Sequence, residues 1–310
     1  MIHNDNNMVC DLETGVCGTS EEEAIQAINL NQTFKKVTLY YATDPICSHC
    51  WALEPILNRF IQQYRPYFNI EILMGGLLAS WDGFADHANG IQAPSDVAQH
   101  WQEVGQHSRM PIDGSLWHSN PIRSSYPPSR LFKVIQQQHP GREHDFLRHA
   151  REAVFAFNRN IAEEQVLIEI VDRLGLHGRT LVDTANQEAA QDQLEQDFEQ
   201  VRQLGVRGFP TIIMVNEKNK GVKIVGARSL DTYVDGLQQM IDEPLQPTAP
   251  VPLSQWLQAG HGLFAREIEV MYDIEPDHVQ AFIERELVAQ SYQLTEMMNE
   301  LYVRLQVAKA

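Results

Sequence analysis

Asp44-Pro45-Ile46-Cys47-Ser48-His49-Cys50-Trp51 sits where the character of the chain changes. Upstream, Lys36-Val37-Thr38-Leu39-Tyr40-Tyr41 is rich in β-branched and aromatic residues, the composition of a strand. Downstream, Trp51-Ala52-Leu53-Glu54-Pro55-Ile56-Leu57-Asn58-Arg59-Phe60-Ile61 carries apolar residues at helical spacing. A C-x-x-C at a strand-to-helix junction reads as a redox motif. The first helical N–H groups have no intrahelical partner, and with the positive end of the helix dipole they favour a thiolate at Cys47 over a thiol. Free cysteine titrates near ~8.5, and C-x-x-C sites of this kind fall to about 3.5–7. Cys50, one turn on, is placed to resolve a mixed disulfide, and a protonated His49 would add positive charge beside the pair.

Working outward, Phe68-Asn69-Ile70-Glu71-Ile72-Leu73-Met74 alternates as a second strand and stops at Gly75-Gly76. Strand, helix, strand makes a βαβ unit, which favours a right-handed crossover and a parallel pair. From Asp82 to about Glu199 the periodicity is mostly helical, as in Phe146, Leu147, Ala150, Val154 and Phe157, or Val166, Ile170 and Leu174. Strand signals return at Thr211–Val215 and Val222–Val225, with a hairpin loop over 216–221, followed by a helix from Ser229 to Ile241. This order predicts an α/β protein: a thioredoxin-like fold with an inserted helical domain. The boundaries read as a mobile Cys-containing arm over 1–34 and the first thioredoxin-like part over 35–81. The helical insertion takes 82–199, the second thioredoxin-like part 200–242. A proline-rich, extended linker over 243–252 then leads to a small C-terminal helical module over 253–310. The periodic residues Phe264, Ile268, Met271, Val279, Phe282 and Ile283 support that last assignment.

In a thioredoxin-like fold a proline just before the third strand has a cis peptide bond and faces the cysteines. Val206-Arg207-Gly208-Phe209-Pro210-Thr211 supplies one, so Pro210 joins Cys47, His49 and Cys50 as a candidate site residue. The plainer reading of Pro210 is a turn proline opening a strand. The plainer reading of the cysteine pair is half of a zinc site, which needs four ligands. No second C-x-x-C exists, although Cys10, Cys17 and His3 are available. Cys10 and Cys17 also read as a redox relay, a local disulfide or two exposed thiols on the arm. The twelve histidines, among them His87, His100, His107 and His118, show no H-E-x-x-H spacing and read mostly as surface residues. The five tryptophans, Trp51, Trp81, Trp101, Trp117 and Trp256, read as core or interface anchors.

The chain has 310 residues, and 43% of them are hydrophobic, enough for a sizeable core. Its net charge of −17 repels phosphate backbones and anionic lipid, so nucleic-acid or membrane partners are not expected, and a basic protein partner is favoured. Four cysteines are too few for a disulfide scaffold at this length. The N-terminus shows no basic and apolar leader pattern, and no apolar run is long enough to span a bilayer. A soluble cytoplasmic protein is the expectation, a compartment in which cysteine pairs are more often catalytic, sensing or metal-binding than structural.

Residues 44–55, from Asp44 through Cys47-Ser48-His49-Cys50 to Pro55, resemble the active-site helix of cytoplasmic DsbA-like proteins, the FrnE and YjbH groups. Asp113-Gly114-Ser115-Leu116-Trp117 and Ser124-Ser125-Tyr126-Pro127 resemble the insertion of the YjbH (SpxH) proteins, and Ala265–Ile274 is similar to their C-terminal segment. The resemblance implies an adaptor that binds Spx, a thiol-responsive transcription regulator, and delivers it to the protease ClpXP. The FrnE alternative implies a protein-disulfide oxidoreductase using Cys47 and Cys50. Neither calls for a cofactor. Members of the adaptor group often begin with a His/Cys-rich, zinc-binding segment; here only His3, Cys10 and Cys17 correspond to it. A kappa-type glutathione transferase shares the insertion plan, but such proteins commonly carry serine at the position of Cys47.

Overall fold

The computed structural model describes residues 9–11, 16–18, 37–84, 86, 89–257 and 262–306. The chain divides into two units, Met1–Lys35 and Lys36–Ala310. In the first, β1 (Val9–Asp11) pairs antiparallel with β2 (Val16–Gly18), with Cys10 opposite Cys17 in register. The rest of the expected arm, including His3, lies outside the described residues, as do the side chains of Cys10 and Cys17.

In the second unit β3 (Val37–Thr43) leads into α1 (Ser48–Tyr64), which returns through a short 3-10 turn to β4 (Phe68–Met74). β3 and β4 pair in parallel, Val37 with Phe68 through Thr43 with Met74. α1 buries Leu53, Leu57, Phe60 and Tyr64 along one stripe, the 3.6-residue period seen in the sequence. Pro55 lies inside this helix, and having no N–H it removes one rung of the ladder.

Among the described residues seven α-helices follow: α2 (Pro94–Ser108), α3 (Leu116–Ser119), α4 (Tyr126–Gln138), α5 (Glu143–Arg151), α6 (Glu164–Arg173), α7 (Gly178–Ala185) and α8 (Glu188–Gln203). α5 runs on into a π-helical turn, Glu152–Ala156. The chain re-enters the sheet as a hairpin, β5 (Thr211–Asn216) and β6 (Gly221–Val225), then forms α9 (Leu230–Gln238), whose N-cap Ser229 accepts the Thr232 N–H. The sheet order is β4-β3-β5-β6, with β5 antiparallel to both neighbours. This is a thioredoxin-like fold with helices inserted between β4 and β5.

The C-terminal segment departs from expectation. α10 (Leu253–Leu257), α11 (Ala265–Tyr272) and α12 (Val279–Glu286) are helical, but β7 (Leu263–Phe264), β8 (Tyr292–Met297) and β9 (Glu300–Leu305) form an antiparallel sheet of order β7-β9-β8. The expected all-helical module is therefore mixed. Two local signals account for it. Tyr292 and Leu294, with Leu301, Val303 and Leu305, alternate with polar neighbours and pack into one small core, a period of two. Met298 and Asn299 both take positive φ (49° and 65°), the two-residue turn that suits a hairpin.

The segment 243–252 is extended but not a free spacer. Thr248 donates its N–H to Gln63 O (2.9 Å), Gln62 Nε2 donates to Ala249 O (2.9 Å), and Gln246 N–H donates to Tyr67 Oη (2.9 Å). Beyond it, Arg59 Nη1 donates to Val270 O (2.7 Å), which ties α1 to α11. Phe264 and Tyr302 leave their own small core and join the main one.

Candidate functional site

The loop between β3 and α1 is held by Asp44. Its buried carboxylate accepts the N–H of Ile46 (3.0 Å), the N–H of Leu77 (2.8 Å) and the hydroxyl of Ser125 (2.9 Å). One side chain thus ties the β3–α1 loop, the turn after β4 and the start of α4. Burial pushes its carboxyl up to about 6, against the pull of those hydrogen bonds.

Cys47 is the N-cap of α1, and its Sγ accepts the Cys50 N–H at 3.2 Å. Both cysteines are buried and neither is in a disulfide. Burial pushes the Cys47 thiol well up, reinforced by its hydrogen bond with Cys50. At Cys50 burial also opposes charge, but the hydrogen bond from Cys47, the Arg151 guanidinium and the Thr43 hydroxyl together hold it below an ordinary thiol. The helix N-terminus by itself predicts the thiolate on Cys47. The structure instead makes Cys50 the more readily ionised thiol, with the Arg151 guanidinium as its counter-charge.

The His49 ring meets His100 edge-on at 5.3 Å between centroids. Burial, then the neighbouring His100 and His107, lower its pKa, so at neutral pH it adds no positive charge to the pair. His100 is lowered by burial too. His100, read from the sequence as surface, is half-buried in this contact.

The Phe209–Pro210 peptide bond is cis. Pro210 is buried, its carbonyl accepts the Gly226 N–H (2.8 Å), and the next residue, Thr211, stands opposite Ala42 in β3. Gly208 and Phe209 line a cleft of about 520 Å³ together with Ile46, Cys47, Ser48 and His49. It is also lined by the apolar Leu77, Trp81, Phe84, Ile91 and Trp101 and by the polar Asp86, Asn89, His100 and Arg207. The tip of the Phe209 ring lies against Gly75, where a Cβ would come within 1.9 Å of it.

Sequence reasoning missed the floor of the site. Arg151, fully buried, donates through Nη2 to Thr43 Oγ1 and to Asp44 O (3.2 Å), and through Nη1 to Glu54 Oε1 (2.9 Å). Arg148 Nη1 takes the other oxygen of Glu54 (2.8 Å), and its Nη2 takes Glu267 in α11 (2.9 Å). Arg148 also lies over the Trp51 ring, 4.7 Å from its centroid, and Tyr302 donates its hydroxyl proton to Glu152. The available signal was a pair of arginines inside the apolar stripe Leu147, Ala150, Val154, where a solvated charge does not belong. Of the tryptophans, Trp51, Trp101 and Trp117 are buried and Trp81 and Trp256 are half-buried. Among the described residues no cluster of His, Cys, Asp or Glu could hold a metal ion, and no helix is long and apolar enough to cross a membrane.

Three comparisons bear on this arrangement. The profile of a thioredoxin family matches residues 40–235. The ClpXP adapter protein SpxH of Halalkalibacterium halodurans is 28% identical over 96% of this chain and 97% of that protein. The protein of the same name from Shouchella clausii is 30% identical over 87% and 88%. Among solved structures, the cytosolic disulfide reductase DsbM from Pseudomonas aeruginosa superposes with a TM-score of 0.51 at 20% identity, covering 66% of this chain and 94% of that one.

Proposed function

We propose that this chain, which belongs to the thioredoxin family and within it to the SpxH group, is a cytoplasmic adaptor that holds an Spx-type transcription regulator and hands it to ClpXP. One observation carries the reading. The alignment with the SpxH relatives runs nearly end to end, whereas the disulfide reductase fold is used up at about two thirds of this chain. The family profile stops at residue 235, and the mixed segment over 263–306 lies beyond it. That segment is fastened to α5 by the buried Arg148–Glu267 ion pair and to α1 by Phe264 against Trp51 and the Arg59–Val270 hydrogen bond, so it presents a fixed surface next to the cleft-bearing body. The acidic surface suits a basic client.

The test is degradation of a purified Spx-type regulator by ClpXP with and without this protein, alongside direct binding of the two. Faster degradation and a stable complex are expected, with C47A/C50A retaining both. No complex and no acceleration overturn the proposal.

A second reading, protein-disulfide oxidoreductase, is favoured by the free Cys47/Cys50 pair in a cleft lined by Gly208 and Phe209. Insulin reduction with a thiol donor tests it, and absence of turnover removes it.

A further inference from the structure

The ion pairs beneath the cysteines do not balance. Among the described residues Glu54 is the one carboxylate bonded to Arg151, and it is shared with Arg148. Arg148 has a second carboxylate, Glu267. Arg151 has none: its other nitrogen Nη2 bonds a hydroxyl and a carbonyl, and its Nε has no partner. The Asp44 carboxylate is near and adds negative charge, but its hydrogen bonds go to Ile46, Leu77 and Ser125 and none goes to Arg151. A guanidinium with about 1% of its surface exposed holds a charge that half of one carboxylate does not offset. A further anion close by would complete the offset. Thr43 and Asp44, the two residues it bonds, are those that lead β3 into the C-x-x-C turn. The Tyr41 hydroxyl, also buried and without a partner, lies in the same space, with the Arg151 guanidinium 5.9 Å from its ring.

We infer that Arg151, delivered from the inserted helices, is the positioning residue that holds the single negative charge of the reduced Cys47/Cys50 pair, with Glu54 as the opposing charge that limits it. The redox state of the pair is then set largely from below the sheet, not by His49. The effect runs in one direction. A charge that stabilises thiolate stabilises the reduced form and makes the disulfide a stronger oxidant. This deepens the second reading of the same pair and needs no client.

The exchange is an ordinary two-electron step. Cys47 Sγ passes its proton to the Cys50 thiolate as it attacks a small disulfide RSSR, forming the mixed disulfide and releasing RS⁻. Cys50 then gives up that proton to solvent and attacks Cys47 Sγ, releasing the second RS⁻. The pair is oxidised to the disulfide, RSSR is reduced, and the two thiolates are protonated according to pH.

The experiment is equilibration of the full chain in a glutathione redox buffer, with the oxidised fraction read by thiol alkylation, together with the pH dependence of alkylation of the reduced pair. R151M should shift the equilibrium about tenfold towards a more reducing pair, ~30 mV for this couple, and raise the pH at which alkylation begins. R151K, which keeps the charge, should restore most of both. E54Q should move both readouts the opposite way. A loss of packing alone would shift R151M and E54Q in the same direction, because both break the same ion pair. Should R151M fail to fold, the opposed sign of E54Q and the near-wild-type value of R151K still decide. E54Q and R151M shifting alike, or a wild-type potential in every variant, overturns the inference while leaving the pair redox-active. A wild-type pair that never oxidises overturns both the inference and the oxidoreductase reading.

Discussion

Replacing Phe264 by alanine probes how the C-terminal segment is seated. Phe264 is fully buried in the main core, not in the small core of its own segment. Its ring meets Trp51 edge-on at 5.9 Å and Tyr302 at 4.8 Å, and the Arg148 guanidinium lies 5.9 Å from its centroid. Truncating a buried phenylalanine to alanine costs about 3–5 kcal/mol, from lost transfer energy and the cavity left behind. The upper half of that range applies here, because Trp51 is itself pinned by its Nε1–H to Pro111 O (3.0 Å) and cannot move into the gap. A loss of about 4 kcal/mol corresponds to roughly 8–16 °C in Tm for a unit of this size. Because β7 also starts the three-stranded sheet, the same change should loosen 263–306 before the body unfolds. Differential scanning calorimetry gives the first number. Limited proteolysis, watching for cleavage near 243–262, gives the second, and the degradation assay reports the consequence for adaptor activity. F282A is the control: Phe282 packs on Tyr272 within the small core and should weaken the segment without a comparable loss in the body. A shift in F264A of less than about 1 kcal/mol, or protease resistance equal to wild type, would refute the claim that Phe264 locks the segment to α1.

Three further outcomes follow from the same geometry. Glu267 is buried, and burial pushes its carboxyl up to about 7, above its unfolded value. The folded state therefore binds the extra proton, so Glu267 makes stability fall as pH rises from about 4.5 to 7; E267Q should flatten that part of the curve in urea melts at pH 5, 6, 7 and 8, and an unchanged slope refutes the assignment. G75A pushes a Cβ into the Phe209 ring and should cost about 1–3 kcal/mol while displacing Phe209 from the cleft, read as faster alkylation of Cys47; a variant with wild-type stability and reactivity contradicts the contact. Cys47 lines the cleft whereas Cys50 is 0% exposed, so iodoacetamide should modify Cys47 first in the native protein, mapped by mass spectrometry; prior labelling of Cys50 speaks against this arrangement.

Much of the site was legible because its signals are local. Cys47, Cys50 and the flanking strand and helix are fixed by composition and period within about twenty residues, and the buried stripe of α1 follows the same count. The hairpin β5–β6 announced itself through its turn. The hairpin β8–β9 carried a comparable alternation, but the helical period of Phe264, Ile268 and Met271 was carried through it to the chain end, and the Met298-Asn299 turn went unread.

What the sequence settled by itself was the backbone plan of the thioredoxin-like part, the thiol pair at a helix start and the proline before β5, since each depends on residues adjacent in the chain. What only the tertiary structure decided was the electrostatics. Arg151 reaches Thr43 across 108 positions, Arg148 reaches Glu267 across 119, and His49 is set against His100. Whether a thiol or an imidazole carries charge depends on the water excluded around it and on the ions brought beside it, and both are properties of packing between segments far apart in the chain.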